Sequence, residues 1–292
     1  MRLVRRSPPS DASHPARARA VSSPKPLVAR LSSLRAHAAQ LLRRRLEATT
    51  RDWVFVRRLP RPFGSVGIYV SPSAGLKYLF RSMNDVDPTL LRLAHDIVKP
   101  GDTVWDVGAN VGLFSFAAAS RSGLNGRVVA FEPDTWLADL LRRSAARNST
   151  VCADVTVLPV AVADAVGIRS FNILARSRAQ SALAGYGYNE PSEASRGQAV
   201  LTVNLDWALE FMPPPDVVKI DVEAAEMEVL KGASRLIASA RPVIICEVGA
   251  DNQHGVTQFL QGHDYLIYDA EDRAAPRIPK QAAPWNTLAI PK

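Results

Sequence analysis

Cysteine is nearly missing from this sequence, with Cys152 and Cys246 alone among 292 residues. Two cysteines cannot build the multi-bridge framework of a small secreted scaffold, and without a CxxC pair or a Cys/His cluster there is no spacing for a structural zinc site. A reducing cytosol is the expected compartment. Long apolar runs are missing as well. No window of about 18 residues is both apolar and uncharged, and residues 1–26 hold no apolar stretch of the signal-peptide kind, so neither a membrane span nor export is expected. Two phosphate-cradling patterns are also absent: Gly-x-Gly-x-x-Gly, which weighs against NAD-linked hydride transfer, and Gly-Lys-Ser/Thr, which weighs against nucleoside-triphosphate hydrolysis.

Acidic residues are scarce at one end only. Residues 1–51 carry 12 Lys and Arg against Asp11 and Glu47, a net +10, so the formal charge of +8 leaves the rest of the chain at −2. A basic body would point to a surface that handles polyanions; a basic arm on a nearly neutral body does not, and no specific nucleic-acid contact is expected. Residues 1–26, rich in Ser, Pro, Ala and Arg without apolar periodicity, read as a disordered basic arm. Over 27–51, Leu27, Leu31, Leu34, Ala38, Leu41 and Leu42 recur at helical spacing among arginines, giving a basic amphipathic helix. It packs on the body or frays in water, with peripheral contact to an anionic membrane as the alternative reading. Its composition also fits an organelle transit peptide.

Residues 52–98 read as a hairpin and a helix leading into the core. The hairpin pairs Val66–Val70 with Leu76–Phe80, and the helix runs Asn84–Val98 with Asp87 as its cap and Pro88 at its first position. From 99 to 292 a strand–helix order repeats: strands at Thr103–Val107, Arg127–Phe131, Val155–Val162, Val217–Ile220 and Val243–Cys246, helices at Val111–Ser120, Thr135–Arg147 and Ala225–Ala238. Parallel strands need crossover helices, so the fold is α/β with a parallel sheet covered on both faces. Ligands of such sheets bind beyond the carboxyl ends of the strands.

The first strand ends in Asp106-Val-Gly108-Ala109-Asn110-Val-Gly112, where glycine lets the backbone come close to a ligand. The second ends in Phe131-Glu132-Pro133, where an acid can accept hydrogen bonds from a ribose. A turn made of Gly108, Ala109, Asn110 and Gly112 with Glu132 beyond the next strand marks a nucleoside-cofactor site. Asp106 either contacts the cofactor or orients Gly108 and Asn110 through backbone hydrogen bonds. Replacing Gly108 or Glu132 is expected to weaken the ligand and leave the fold intact.

These segments, together with Lys219-Ile-Asp221-Val-Glu223-Ala-Ala-Glu226, resemble the S-adenosylmethionine-dependent methyltransferases of the FkbM type over roughly residues 55–290. The resemblance implies a Rossmann-like class I methyltransferase fold with a seven-stranded sheet, ending in an antiparallel pair for which Asp264–Tyr268 and Trp285–Ile290 are the candidates. It implies S-adenosylmethionine as cofactor, with Asp164 near the adenine unless it merely caps a turn, and O-methylation of a hydroxyl on a sugar, glycan or natural product. Ala224 stands where the family has glycine, which keeps open a cofactor-binding protein without catalysis.

Asp221 ends an apolar strand, and Glu247 ends the probable neighbour Val243–Cys246, so the two acids converge. Asp221, Glu223 and Glu247 are the candidate catalytic groups: a base to take the acceptor's proton, or, as a less favoured reading, Asp221 and Glu247 with Asn252 or His254 around a divalent metal. Glu223 and Glu226 alternatively serve only the dipole of the next helix. Residues 165–200, with Tyr186, Tyr188 and Asn189, read as an irregular substrate lid or a solvated loop.

Overall fold

The computed structural model describes residues 49–50, 52–174, 178–187, 195–274 and 276–292. The arm at 1–26, the helix at 27–51 apart from residues 49 and 50, and Tyr188 and Asn189 lie outside the described residues.

The body opens with β1 (Phe55–Arg58) and β2 (Gly67–Val70), followed by three helices, α1 (Lys77–Phe80), α2 (Met83–Val86) and α3 (Pro88–Ile97). The alternating series then runs β3 (Thr103–Val107), α4 (Leu113–Ser122), β4 (Arg127–Phe131), α5 (Thr135–Asn148) and β5 (Asp154–Leu158). Four strands follow, β6 (Ala161–Val162), β7 (Gly167–Leu174), β8 (Ala182–Leu183) and β9 (Ser195–Val203), and then α6 (Leu205–Ala208). The chain closes with β10 (Val217–Ile220), α7 (Glu226–Lys231), α8 (Ser234–Ala240), β11 (Val243–Glu247), α9 (Gln253–Gly262), β12 (Tyr265–Asp269) and β13 (Asn286–Pro291).

Seven strands form one sheet in the order β12-β13-β11-β10-β3-β4-β5, parallel except for β13, which runs against both neighbours. Side chains alternate across it. On one face Val104, Val128, Val217 and Ile245 pack with Phe114, Leu140 and Leu141 of α4 and α5; on the other Trp105, Val107, Val129, Val218 and Ile220 pack with Val229, Leu236 and Ile237 of α7 and α8.

Several elements differ from expectation, each for a local reason. The hairpin partner of β2 is β1, with Phe55 opposite Val70, and the expected strand at 76–80 is the helix α1. The outer edge of β2 is closed by side chains of α5: Asn148 Oδ1 accepts from Gly67 N at 3.1 Å, its Nδ2 donates to Gly67 O at 2.8 Å, and Ser144 Oγ accepts from Tyr69 N at 2.8 Å. No third strand has backbone left to pair with. The expected helix at 84–98 breaks at Asp87, whose backbone (φ −156, ψ 85) lies outside the helical region disfavoured before proline, and Asp87 Oδ1 then caps α3 by accepting from Leu90 N at 2.9 Å. The strand expected at 155–162 breaks at Pro159, which has no N–H for the ladder, and β6 joins a separate sheet of order β6-β9-β7-β8. Within residues 165–200, expected as irregular, Gly167–Leu174, Ala182–Leu183 and the start of Ser195–Val203 are strands of that sheet. The helix expected at 225–238 is α7 and α8, parted at Gly232 and Ala233.

Candidate active site

Parallel register sets Lys219 of β10 directly opposite Asp106 of β3, so both point to the same face inside the sheet. Lys219 Nζ lies 3.1 Å from Asp106 Oδ1 and 3.3 Å from Asp221 Oδ2, and donates to Gly108 O at 2.8 Å. Asp106 also accepts from Ser115 Oγ of α4 at 2.5 Å. Both Lys219 and Asp106 are buried. Burial alone would discharge the ammonium, but the Asp106 and Asp221 carboxylates override it and push the lysine well above its ordinary range. Asp106 therefore orients the Gly108 turn through Lys219, not through hydrogen bonds of its own to that turn, and it does not reach the cavity beyond.

The turn is fixed by the sheet. Gly108 has φ +76, and a Cβ there would stand 2.0 Å from the carbonyl oxygen of Asp221. The expectation that Gly108 could be replaced at the ligand's expense alone therefore fails: its lack of a side chain serves strand packing. Gly112, at φ +85, starts α4 against Phe116 and Leu141, and Ala109 is buried in the core. Neither lines the cavity; both shape the turn that does.

That cavity opens at the carboxyl ends of β3, β4 and β10. Gly108, Asn110, Glu132, Asp221 and Glu223 form its polar side, and Leu137, Val160, Ala161, Val162, Phe171 and Leu183 form an apolar slot. Glu132 accepts from Asn110 N at 2.7 Å and from Asp134 N at 2.9 Å. Burial raises its pKa to about 7, against the opposing pull of those two N–H groups. Because Glu132 satisfies two backbone donors, one buried and one part-buried, its removal is expected to cost the fold as well as the ligand. Asp134 pairs with Arg178, which spans from the small sheet to the cavity wall and lies 4.9 Å over the Trp136 ring. Asp164 stands apart: it is exposed, paired with Arg169, and the slot is lined by Ala161 and Val162 instead.

A second cavity shares only Asp221 with the first and includes Glu247, Asp87, Thr89 and Asn286. Asp221 and Glu247 each lie one residue beyond the last paired positions, Ile220 and Cys246. Burial, and next the Asp221 charge, raise the Glu223 and Glu247 carboxyls to about 7. Between them the turn at Ala224 adopts φ +62, the left-handed conformation that favours the glycine of the resembled motif. Glu226 Oε1 accepts from Ala224 N at 3.1 Å, Asn252 Nδ2 donates to Ala224 O at 3.0 Å, and Asn252 also donates to Glu226. Asn252 is thus committed to the turn, and His254 is exposed and lines neither cavity. Among the described residues no three His, Cys, Asp or Glu side chains are grouped to hold a metal ion.

Two functional side chains were missed in the sequence. Lys219 had a signal: a lysine inside the apolar strand Val217–Ile220 has to find a buried carboxylate. Arg178 had none, because its place depends on how the small sheet folds back.

A seven-stranded sheet with one antiparallel strand, a glycine turn after β3 and an acid after β4 defines a class I methyltransferase fold. Residues 106–267 match the methyltransferase FkbM domain, and the chain belongs to that family. It is 30% identical over 160 residues to the hexuronic acid methyltransferase AglP of Haloferax volcanii, covering 53% of this chain and 60% of that protein. It is 27% identical over 252 residues to the 31-O-demethyl-FK506 methyltransferase FkbM of Streptomyces tacrolimicus, covering 74% of this chain and 92% of that one. A crystal structure of a methyltransferase FkbM from Methylobacillus flagellatus aligns at 16% identity and a TM-score of 0.42, over 80% of this chain and 55% of the other. No described helix is long and apolar enough to cross a membrane.

Proposed function

We propose that the chain is an S-adenosylmethionine-dependent O-methyltransferase acting on a hydroxyl of a sugar, glycan or natural product. The observation that carries this reading is the first cavity, where a buried carboxylate, a glycine turn and an apolar slot meet strand-end acids. The cavity suits the cofactor's parts: Glu132 keeps lone pairs for ribose hydroxyls after accepting two N–H groups, and the slot from Leu137 to Leu183 suits the adenine. When bound, S-adenosylmethionine supplies a methyl group already activated as a sulfonium.

The chain's own task is then alignment and proton removal. Asp221, on the wall common to both cavities, is the positioning acid, its carboxylate committed to the Lys219 ammonium. Glu247, raised to about 7 and facing the second cavity, is the proton acceptor, and Glu223 stands on the donor side with a similar poise. Ala224 does not count against catalysis, because the turn reaches its left-handed shape with alanine present.

Calorimetry with S-adenosylhomocysteine and transfer of a labelled methyl group to hydroxylated acceptors in fractionated cell extract test the proposal. Binding with transfer supports it; binding without transfer leaves a cofactor-binding protein, and no binding refutes the cofactor assignment.

A further inference from the structure

The second cavity can be read for what it would hold. It meets the first only at Asp221, lies at the carboxyl ends of β10 and β11, and is closed by the start of α3 and by β13, where Asn286 sits opposite Glu247. Its charged lining is three carboxylates, Asp87, Asp221 and Glu247, against one ammonium, Lys219. That ammonium already lies against Asp106 and Asp221 and donates to the Gly108 carbonyl, so its charge is met within the protein. Arg92, the neighbouring cation on α3, donates to the Ala270 carbonyl and lies 3.7 Å from Asp96, and it does not line the cavity. Leu90, Leu93 and Ile245 supply an apolar wall.

Ionised carboxylates accept hydrogen bonds and donate none. A ligand suited to this cavity therefore brings hydroxyl donors and a C–H face, while a carboxylate on the ligand would lose its water among like charges and, among the described residues lining the cavity, would meet no cation but Lys219.

We propose that the second cavity is the acceptor site, and that it takes an uncharged polyhydroxylated group such as a neutral sugar ring and rejects a carboxylate-bearing one. The inference rests on the reading of the first cavity as the methyl-donor site. It separates this chain from its hexuronic acid relative in the charge of the acceptor.

The test uses the full chain, with and without S-adenosylhomocysteine, and two matched probes, a methyl glucoside and the corresponding methyl glucuronoside, titrated by ligand-detected NMR above pH 7. The glucoside is expected to bind at least about tenfold more tightly, since like charges a few ångströms apart cost more than that factor. Thr89→Trp, which places an indole in the cavity from α3, should abolish glucoside binding while S-adenosylhomocysteine affinity holds. The double variant Asp87→Asn/Glu247→Gln, which alters no volume, should narrow the preference between the two sugars. Equal or tighter binding of the glucuronoside, absence of glucoside binding to the wild type, or glucoside binding that survives in a folded Thr89→Trp protein overturns the proposal. Failure of S-adenosylhomocysteine to bind instead refutes the donor reading, and the sugar comparison made without it still decides the charge preference of the second cavity.

Discussion

Replacing Lys219 with methionine keeps the length and apolar stem of the side chain and deletes one buried charge. Asp106, with no exposed surface, would be left with Ser115 Oγ as its remaining side-chain partner, while Asp221, whose side chain is 42% exposed, would turn to water. The penalty therefore falls on Asp106. Breaking a buried pair by removing one partner costs about 3–5 kcal/mol. For a body of this size each kcal/mol shifts the midpoint by roughly 2–4 °C, so Lys219→Met should lower the melting temperature by about 6–20 °C. Asp106→Asn/Lys219→Met removes the stranded charge as well, and should be more stable than Lys219→Met alone, with a coupling of about 0.5–3 kcal/mol between the sites. Thermal and urea unfolding of the four proteins, followed by circular dichroism, measure both effects. A Lys219→Met protein that melts with the wild type, or a double variant no better than the sum of the single losses, would refute the account of this triad.

Ala224→Gly should raise the midpoint, because the left-handed conformation costs alanine about 1–2 kcal/mol and glycine returns about 0.5–1 of that in backbone entropy; a lower midpoint refutes the strain at φ +62. Gly108→Ala should cost about 2–5 kcal/mol through backbone strain and overpacking on the Asp221 carbonyl, seen as unfolding at lower urea concentration without any ligand present. Glu132→Gln turns an N–H group toward a backbone donor, so stability should fall by about 1–3 kcal/mol together with cofactor affinity; a loss of affinity at unchanged stability would contradict its two backbone bonds. Glu223 and Glu247 have carboxyls raised to about 7 from an ordinary 4.5, so the folded protein holds protons that the unfolded chain has released, and stability should fall as pH rises through that window. Glu223→Gln should flatten part of this slope, and methyl transfer should rise over the same interval as the proton acceptor ionises; slopes that match the wild type count against the burial of Glu223.

Legibility followed the range of the interactions. The strands Thr103–Val107, Arg127–Phe131 and Val217–Ile220 were readable to the residue because runs of Val and Ile flanked by Gly and Asp admit one reading in an α/β pattern. The strand at 76–80 misled because Leu76, Tyr78 and Phe80 alternate while only Tyr78 is buried, and what excludes a strand there is a pair of side chains about 70 residues away, Ser144 and Asn148, closing the edge of β2. No local pattern carries that information. Pro159 and Asp87-Pro88 did carry theirs, and the breaks at both follow from rules of backbone chemistry readable in the residues.

The candidate site divides in the same way. Gly108, Asn110, Glu132, Asp221 and Glu223 meet at one cavity because the end of a parallel strand is a place that topology alone determines. What each residue does there depends on partners that sequence order hides. Glycine at 108 fits two accounts, a backbone bared to a ligand or a backbone pressed on its neighbour; it lines the cavity, and a Cβ there would stand 2.0 Å from the Asp221 carbonyl oxygen, so the second holds whatever the first does. An acid at 106 fits either contact or support, and the lysine opposite it in register decides for support. The motif Lys219-Ile-Asp221 thus works as one unit. Its lysine faces into the sheet and holds the Gly108 turn and Asp106, its isoleucine faces the other core, and its aspartate emerges where two cavities meet. A parallel strand that must bury one charge can end in a half-exposed acid without a separate anchor, since the same ammonium pairs with both carboxylates. Strand packing and site chemistry there depend on a single cation, which is why a substitution at Lys219 should disturb both together.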